Sequence, residues 1–135
     1  MAKRPKVSWA AEPEEHDYPA AGVYLGLVLP VNSVSTLVNA FRHTTTTHHR
    51  ANDLLRASQL PLLPVDDPEV VQDLKRMKRG ATLSPVLLVR GGLATGLPLT
   101  IADGYHRICA SYHLDEDVDI PARMVELLGA VEPTS

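Results

Sequence analysis

Between Leu99 and Tyr112 an apolar run, Leu99, Thr100 and Ile101, gives way to Tyr105, Ile108, Cys109 and Tyr112 at the spacing of one helical face. The pattern predicts a strand over 99–102 feeding a helix that begins at Gly104 and is capped by Asp103. Upstream, residues 23–29 are nearly all apolar and end at Pro30, as a strand covered on both faces would. Val34, Leu37, Val38 and Phe41 then form the stripe of a helix capped by Asn32 or Ser33. A second helix is expected over 50–57. The 59–67 stretch, with Pro61 and Pro64, reads as a rigid connector. It ends in Asp67, Pro68 and Glu69, an N-cap, a proline at the first helical position and an acidic first turn. Val70, Val71, Leu74 and Met77 supply that helix's buried face, and Gly80 its stop.

Residues 84–90 are the clearest strand, with Pro85 at its start and four unbroken apolar residues behind it. A long hairpin loop over 91–98 returns the chain antiparallel into 99–102. The last strand, 118–125, alternates Ile120, Ala122 and Met124 with Asp119, Pro121 and Arg123, and Pro121 points to an edge position or a bulge. Together these elements predict an α+β fold, a small mixed sheet with flanking helices.

The 135 residues suffice for one core, so the expected organisation is an arm over 1–19, a single domain over 20–128 and a tail over 129–135. The arm is charged, proline-rich and aperiodic, with Trp9 or Tyr18 available to pack on the domain. A formal net charge of −3 counts against nucleic acid as the main partner, because duplex binders draw their affinity from neutralising phosphates. Lys75, Arg76, Lys78 and Arg79 can be a local basic patch or simply a solvated face that complements the helix dipole. Cys109 is the only cysteine, which excludes an internal disulfide framework and fits a reducing, cytoplasmic setting. No apolar run approaches the roughly 20 residues of a membrane span.

Candidate chemistry concentrates at the strand-to-helix join. A helix start carries unpaired amides and the positive end of the peptide dipoles, which favour an anion such as phosphate. Gly104 lets the anion approach, and His106 and Arg107 add donors in the same turn. Cations at this end of a helix cost about 0.3–1 kcal/mol each, which argues for something negative between them. His43, His48 and His49 invite a metal reading, but their spacing places no two imidazoles on one helical face and no cysteine or carboxylate set completes a shell. His48, His49 and Arg50 either line an anionic ligand's pocket at a helix start or form a solvated helix end.

The order of helix, Leu-Ser-Pro-Val-Leu-Leu-Val-Arg strand, hairpin, Ala-Asp-Gly-Tyr-His-Arg-Ile-Cys-Ala helix and Asp-Ile-Pro-Ala-Arg strand resembles the ParB/sulfiredoxin superfamily, over roughly residues 60–125. Its most specific element is Gly-x-x-Arg-x-x-Ala at Gly104, Arg107 and Ala110. The resemblance implies that Gly104, Tyr105, His106 and Arg107 hold nucleotide phosphates. Tyr105 stands where sulfiredoxins carry their catalytic cysteine, which argues against sulfinic acid reduction. Partition proteins continue past this domain with a helix-turn-helix and a dimerisation region, and chromosome partition is not the expectation here.

Asp-Gly-Tyr-His-Arg is similar to the Asp-Gly-His-His-Arg form of the superfamily's free serine kinases, whose base is an acidic residue from the connector before the helix. Asp66 and Asp67 occupy about that place. The expectation is therefore a nucleotide-binding domain using ATP, ADP or CTP, with Asp103 positioning the turn or a Mg²⁺ ion. Asp66 or Asp67 would serve as base toward a small-molecule hydroxyl, making the protein a phosphotransferase (kinase) or NTPase. Arg50 is a further candidate phosphate contact. The rival expectation is a nucleotide-gated binding or adaptor module without turnover, beside nucleic acid or a protein. Nuclease activity has little support without a carboxylate cluster.

Overall fold

The computed structural model describes residues 7–127. In chain order the elements are β1 (Ser8–Trp9), α1 (Asp17–Leu25), α2 (Val31–His43), β2 (Thr46–Arg50), α3 (Ala51–Ser58), α4 (Pro68–Lys78), β3 (Thr82–Leu83), β4 (Val86–Val89), β5 (Thr100–Asp103), α5 (Tyr105–Leu114) and β6 (Asp119–Val125). The chain is α+β. A mixed sheet runs in the order β2-β6-β4-β5, and β1 and β3 form a separate parallel pair. In the sheet β6 is antiparallel to β2 and parallel to β4, while β4 and β5 are the antiparallel hairpin arms the sequence suggests.

Strand alternation divides the core into two. Val86, Leu88, Ile101, Ile120 and Ala122 pack with residues of α3, α4 and α5 on one face of the sheet. Leu87, Val89, Ala102 and Val125 pack on the other face with Tyr18, Ala21 and Leu25 of α1 and Leu37 and Phe41 of α2. The sheet is thus covered on both sides, which explains why β4 has no polar position at all.

The same arrangement corrects the reading of the last strand. β6 lies in the middle of the sheet, not at an edge, and Arg123 turns into the α1/α2 layer instead of solvent. Pro121 is tolerated there because the parallel ladder with β4 begins one residue later, at Val86 and Ala122. Arg123 contacts the Tyr18 hydroxyl at 3.3 Å and donates to the carbonyls of Phe41 at 3.1 Å and Arg42 at 3.4 Å. One buried guanidinium therefore ties the central strand to both helices above it.

Residues 23–29 are not a strand. Tyr18, Ala21 and Leu25 are buried at helical spacing, and the helix they form runs to Leu25. Its outer side carries exposed Val23, and the turn after it exposed Leu27 and Val28, so the run of apolar letters conceals a helical period. The following helix keeps its predicted stripe, but begins at Val31 with Pro30 as N-cap, so neither Asn32 nor Ser33 caps it. Of the expected arm, Ser8–Trp9 pairs with β3, and 17–19 open α1. Residues 1–6 of that arm, and the expected tail at 129–135, lie outside the described residues.

His48 and His49 belong to β2; Arg50 ends that strand and is the N-cap of α3, so the helix expected over 50–57 is present, shifted by one residue to Ala51–Ser58. The 59–67 connector is fixed on α5, where the Tyr105 hydroxyl donates to the Pro61 carbonyl and His113 Nε2 meets the Leu63 carbonyl at 2.7 Å. Asp67 caps α4 as predicted, its Oδ2 accepting from the amides of Glu69 and Val70 at 3.1 Å each. Among the described residues no helix is long and apolar enough to cross a membrane.

Replacing Arg123 by leucine leaves two carbonyls and the Tyr18 hydroxyl without their donor. We expect a loss of about 2–4 kcal/mol in urea unfolding. A change below about 0.5 kcal/mol, the scatter of ordinary surface substitutions, would show that the guanidinium does not hold the layers together.

Candidate functional site: a polar cleft at the start of α5

The β5–α5 junction is built around Gly104. Its φ is +110°, a conformation that L side chains rarely adopt. A Cβ at this position would lie 2.4 Å from Val86 Cγ1 and 2.9 Å from an Arg107 Nη atom. The missing side chain therefore admits Val86 and the guanidinium of Arg107. That is a different use of glycine from the close anion approach the sequence suggests. β5 reaches the turn through an irregular register, because Leu88 pairs with Ile101 whereas Leu87 pairs with Asp103. The extra residue, Ala102, is the kind of bulge that re-aims a strand end.

Asp103 does not cap α5. The N-cap is Gly104, with no side-chain capping bond. The Asp103 carboxylate instead accepts from Arg107 Nη2 at 3.0 Å, and the same nitrogen lies 3.3 Å from the Pro85 carbonyl. Arg107 thereby fastens the end of β5 and the entry to β4 onto α5, while its Nε is buried without a partner. His106 Nε2 lies 2.7 Å from Glu69 of α4. The acceptors that a guanidinium and an imidazole at a helix start call for are thus supplied by the protein itself.

Between α4 and the junction lies a cleft of about 180 Å³ lined by Glu69, Gln72, Asp73, Asp103, Gly104, His106 and Arg107. Of the predicted phosphate contacts, Gly104, His106 and Arg107 meet here, with Asp103 beside them. Tyr105 is turned away to the connector, and Arg50 stands elsewhere, bound two-pronged to Asp53 at 3.1 and 3.2 Å and to Asp117 at 3.1 Å. Asp66 and Asp67 do not line the cleft, and the Asp67 carboxylate is committed to the α4 cap.

Two acids besides Asp103 face the cleft, Glu69 and Asp73, and neither is a site candidate in the sequence. Asp73 carries a usable signal: it follows Val70 by three residues and precedes Met77 by four, a carboxylate inside an apolar helical stripe. It is buried, lies 3.3 Å from Arg76, and burial pushes its carboxyl above the usual range against the pull of Arg107 and Arg76. Burial likewise pushes Asp103 up, opposed by Arg107.

The Cys109 thiol is buried and pushed up by that burial, the opposite of an activated nucleophile. His43, His48 and His49 do not assemble with one another; the one group of metal-ligating side chains within reach of a common ion, among the described residues, is Glu14, His16 and Asp17. Comparison of the chain with family models, curated proteins and solved structures found no match. The chain is a small α+β protein with a polar cleft at a glycine turn.

Two expectations follow from the cleft. Gly104→Ala combines a strained φ with a clash on Val86 and should cost about 2–5 kcal/mol in denaturant unfolding; a loss under about 1 kcal/mol, less than the left-handed φ alone costs an L residue, would contradict the packing described.

Asp73 has its folded pKa raised, so its ionised form opposes folding above that pKa and the penalty disappears as pH falls through it. Asp73→Asn should therefore be more stable than the parent at pH 7, with the difference closing toward pH 3–4, about the ordinary carboxylate pKa. Unfolding curves over this range that show the reverse order would overturn the sign.

Proposed function

We propose that the Gly104 cleft binds the phosphates of a nucleotide and that the protein is a ParB/sulfiredoxin-like phosphotransferase or NTPase. The observation that carries this reading is the meeting of His106, Arg107 and the α5 N-terminus in one small polar cleft, with Arg107 Nε lacking an acceptor. Backbone amides at the helix start complement phosphate oxygens, and a guanidinium with five donors is not exhausted by two acceptors. Charge-assisted bonds of about 1.5–3 kcal/mol each give micromolar affinity once the cost of association is subtracted.

The carboxylates of Glu69, Asp73 and Asp103 would repel a bare polyanion. They suit a nucleotide carried as its Mg²⁺ complex, because this ion takes hard oxygen ligands and usually uses one or two carboxylates together with phosphates. Asp103 is the residue that would hold it, and the ion would supply neutralisation of phosphate charge. In this reading Asp73, rather than Asp66 or Asp67, is the base toward a small hydroxyl, since it faces the cleft and burial raises its proton affinity. A second reading, a nucleotide-gated binding module without turnover, is favoured by the engagement of Asp67 in the helix cap.

Calorimetric titration with ATP, ADP and CTP, with and without Mg²⁺, tests the site. Binding in the micromolar range that weakens at least about tenfold in Arg107→Ala supports it. No binding, or equal binding in the variant, ends it. Phosphate release or transfer that stops in Asp73→Asn while nucleotide binding persists favours the enzyme; binding without turnover favours the module.

A further inference from the structure

A second cavity, of about 360 Å³, opens beneath α3 and the 91–98 loop. It shares no lining residue with the Gly104 cleft. Gly104 packs on Val86, the first residue of β4, whereas Arg90 and Gly91 stand just past the last. The walls are apolar, formed by Leu54, Leu88, Leu99 and Met124, and His49, Asp53 and Arg90 provide the polar groups. Apolar walls with a few convergent polar groups, at this volume, are the usual make-up of a small-molecule site.

The polar groups differ in what they can offer. Asp53 is engaged by both prongs of Arg50 and lies 3.6 Å from Arg56, so its charge is answered on the side of α3. His49 Nε2 meets Thr47 Oγ1 at 2.8 Å, and burial together with nearby Arg90 holds its imidazole below the usual range. At neutral pH it brings a polar ring without a charge. Arg90 donates through Nε to Glu126 at 2.6 Å, one of its five donors, and its half-exposed guanidinium is the cation of this cavity.

The mouth carries unburied apolar surface. Leu93 is fully exposed and Leu97 half-exposed, and both line the opening. They are held there by a tight loop. Gly92 and Leu97 are bridged, and a Cβ on Gly91 would lie 2.4 Å from the Leu97 carbonyl oxygen and 2.5 Å from the Pro98 carbonyl carbon. A ligand with an apolar body would cover the two leucines as it filled the cavity.

We propose that this cavity binds a small organic acid with an aliphatic or aromatic body, its carboxylate on the Arg90 guanidinium and its body against Leu54, Leu88, Leu99 and Met124. A primary amide or alcohol of the same shape fits the walls equally well but gives Arg90 no charged partner. The site is independent of the nucleotide reading, because it uses none of the same residues.

The test is titration of the full chain with 4-methylpentanoate and with phenylacetate, followed by amide NMR, against the corresponding amides and alcohols. Saturable shifts around the cavity are expected for the carboxylates, with affinity at least about tenfold weaker in Arg90→Gln. Ala57→Phe, a change at an exposed position on the cavity wall, should block both acids. Spectral dispersion confirms that each variant is folded. Equal binding of the neutral analogues, undiminished binding in Arg90→Gln, or no saturation at about 20 mM would overturn the proposal; that ceiling already lies far above the millimolar affinity of a weak site.

Discussion

Everything at the candidate site depends on the contact between Gly104 and Val86. With a φ of +110° and no Cβ, the chain leaves β5 and enters α5 while the Val86 side chain occupies the place a side chain on residue 104 would take. Arg107, one turn later, then reaches back to Asp103 and to the Pro85 carbonyl. Strand end, strand start and helix start are joined by one steric constraint and one guanidinium. Asp103, Gly104 and Arg107 both line the cleft and hold the junction, so a substitution among them alters stability and the shape of the cleft together.

The parts of the fold that were legible in the sequence are those where one physical signal acts alone. Asp67, Pro68 and Glu69 announce the start of α4 because capping is local chemistry. The unbroken apolar β4 and its hairpin to β5 follow from burial on both faces. Where two signals overlap, the reading fails. Residues 23–29 are apolar on the buried and the exposed side of one helix and the turn after it, so no period survives. Pro121 reads as an edge residue because proline removes a ladder donor, yet the ladder on its β4 side starts only at Ala122. That local circumstance belongs to sheet order, which no short window of sequence contains.

The site shows the same division. Gly104, His106 and Arg107 are adjacent in the chain and meet in the cleft, so a motif could find them. Glu69 and Asp73 arrive from another helix, and only the packing of α4 against α5 brings them there. Asp73 left a trace as a carboxylate within an apolar stripe. Arg50, by contrast, was drawn toward the site only by its charge, and Asp53 and Asp117 account for that charge completely.

The internal pairing of charges also changes what a ligand must do. A cation that already holds a carboxylate gives a phosphate only the difference between two partners, and Asp103 is present at one equivalent without any association cost. In the proposed nucleotide reading, a polyanion would enter this cleft in one of two ways. It can use donors the protein leaves over, the α5 amides and Arg107 Nε, or it can bring a divalent cation that takes Asp103 as its own ligand and releases Arg107. The second route couples binding to a change of partner at the junction that fixes β5, β4 and α5. Nucleotide affinity at this cleft should then depend on the cation far more steeply than charge screening alone would produce.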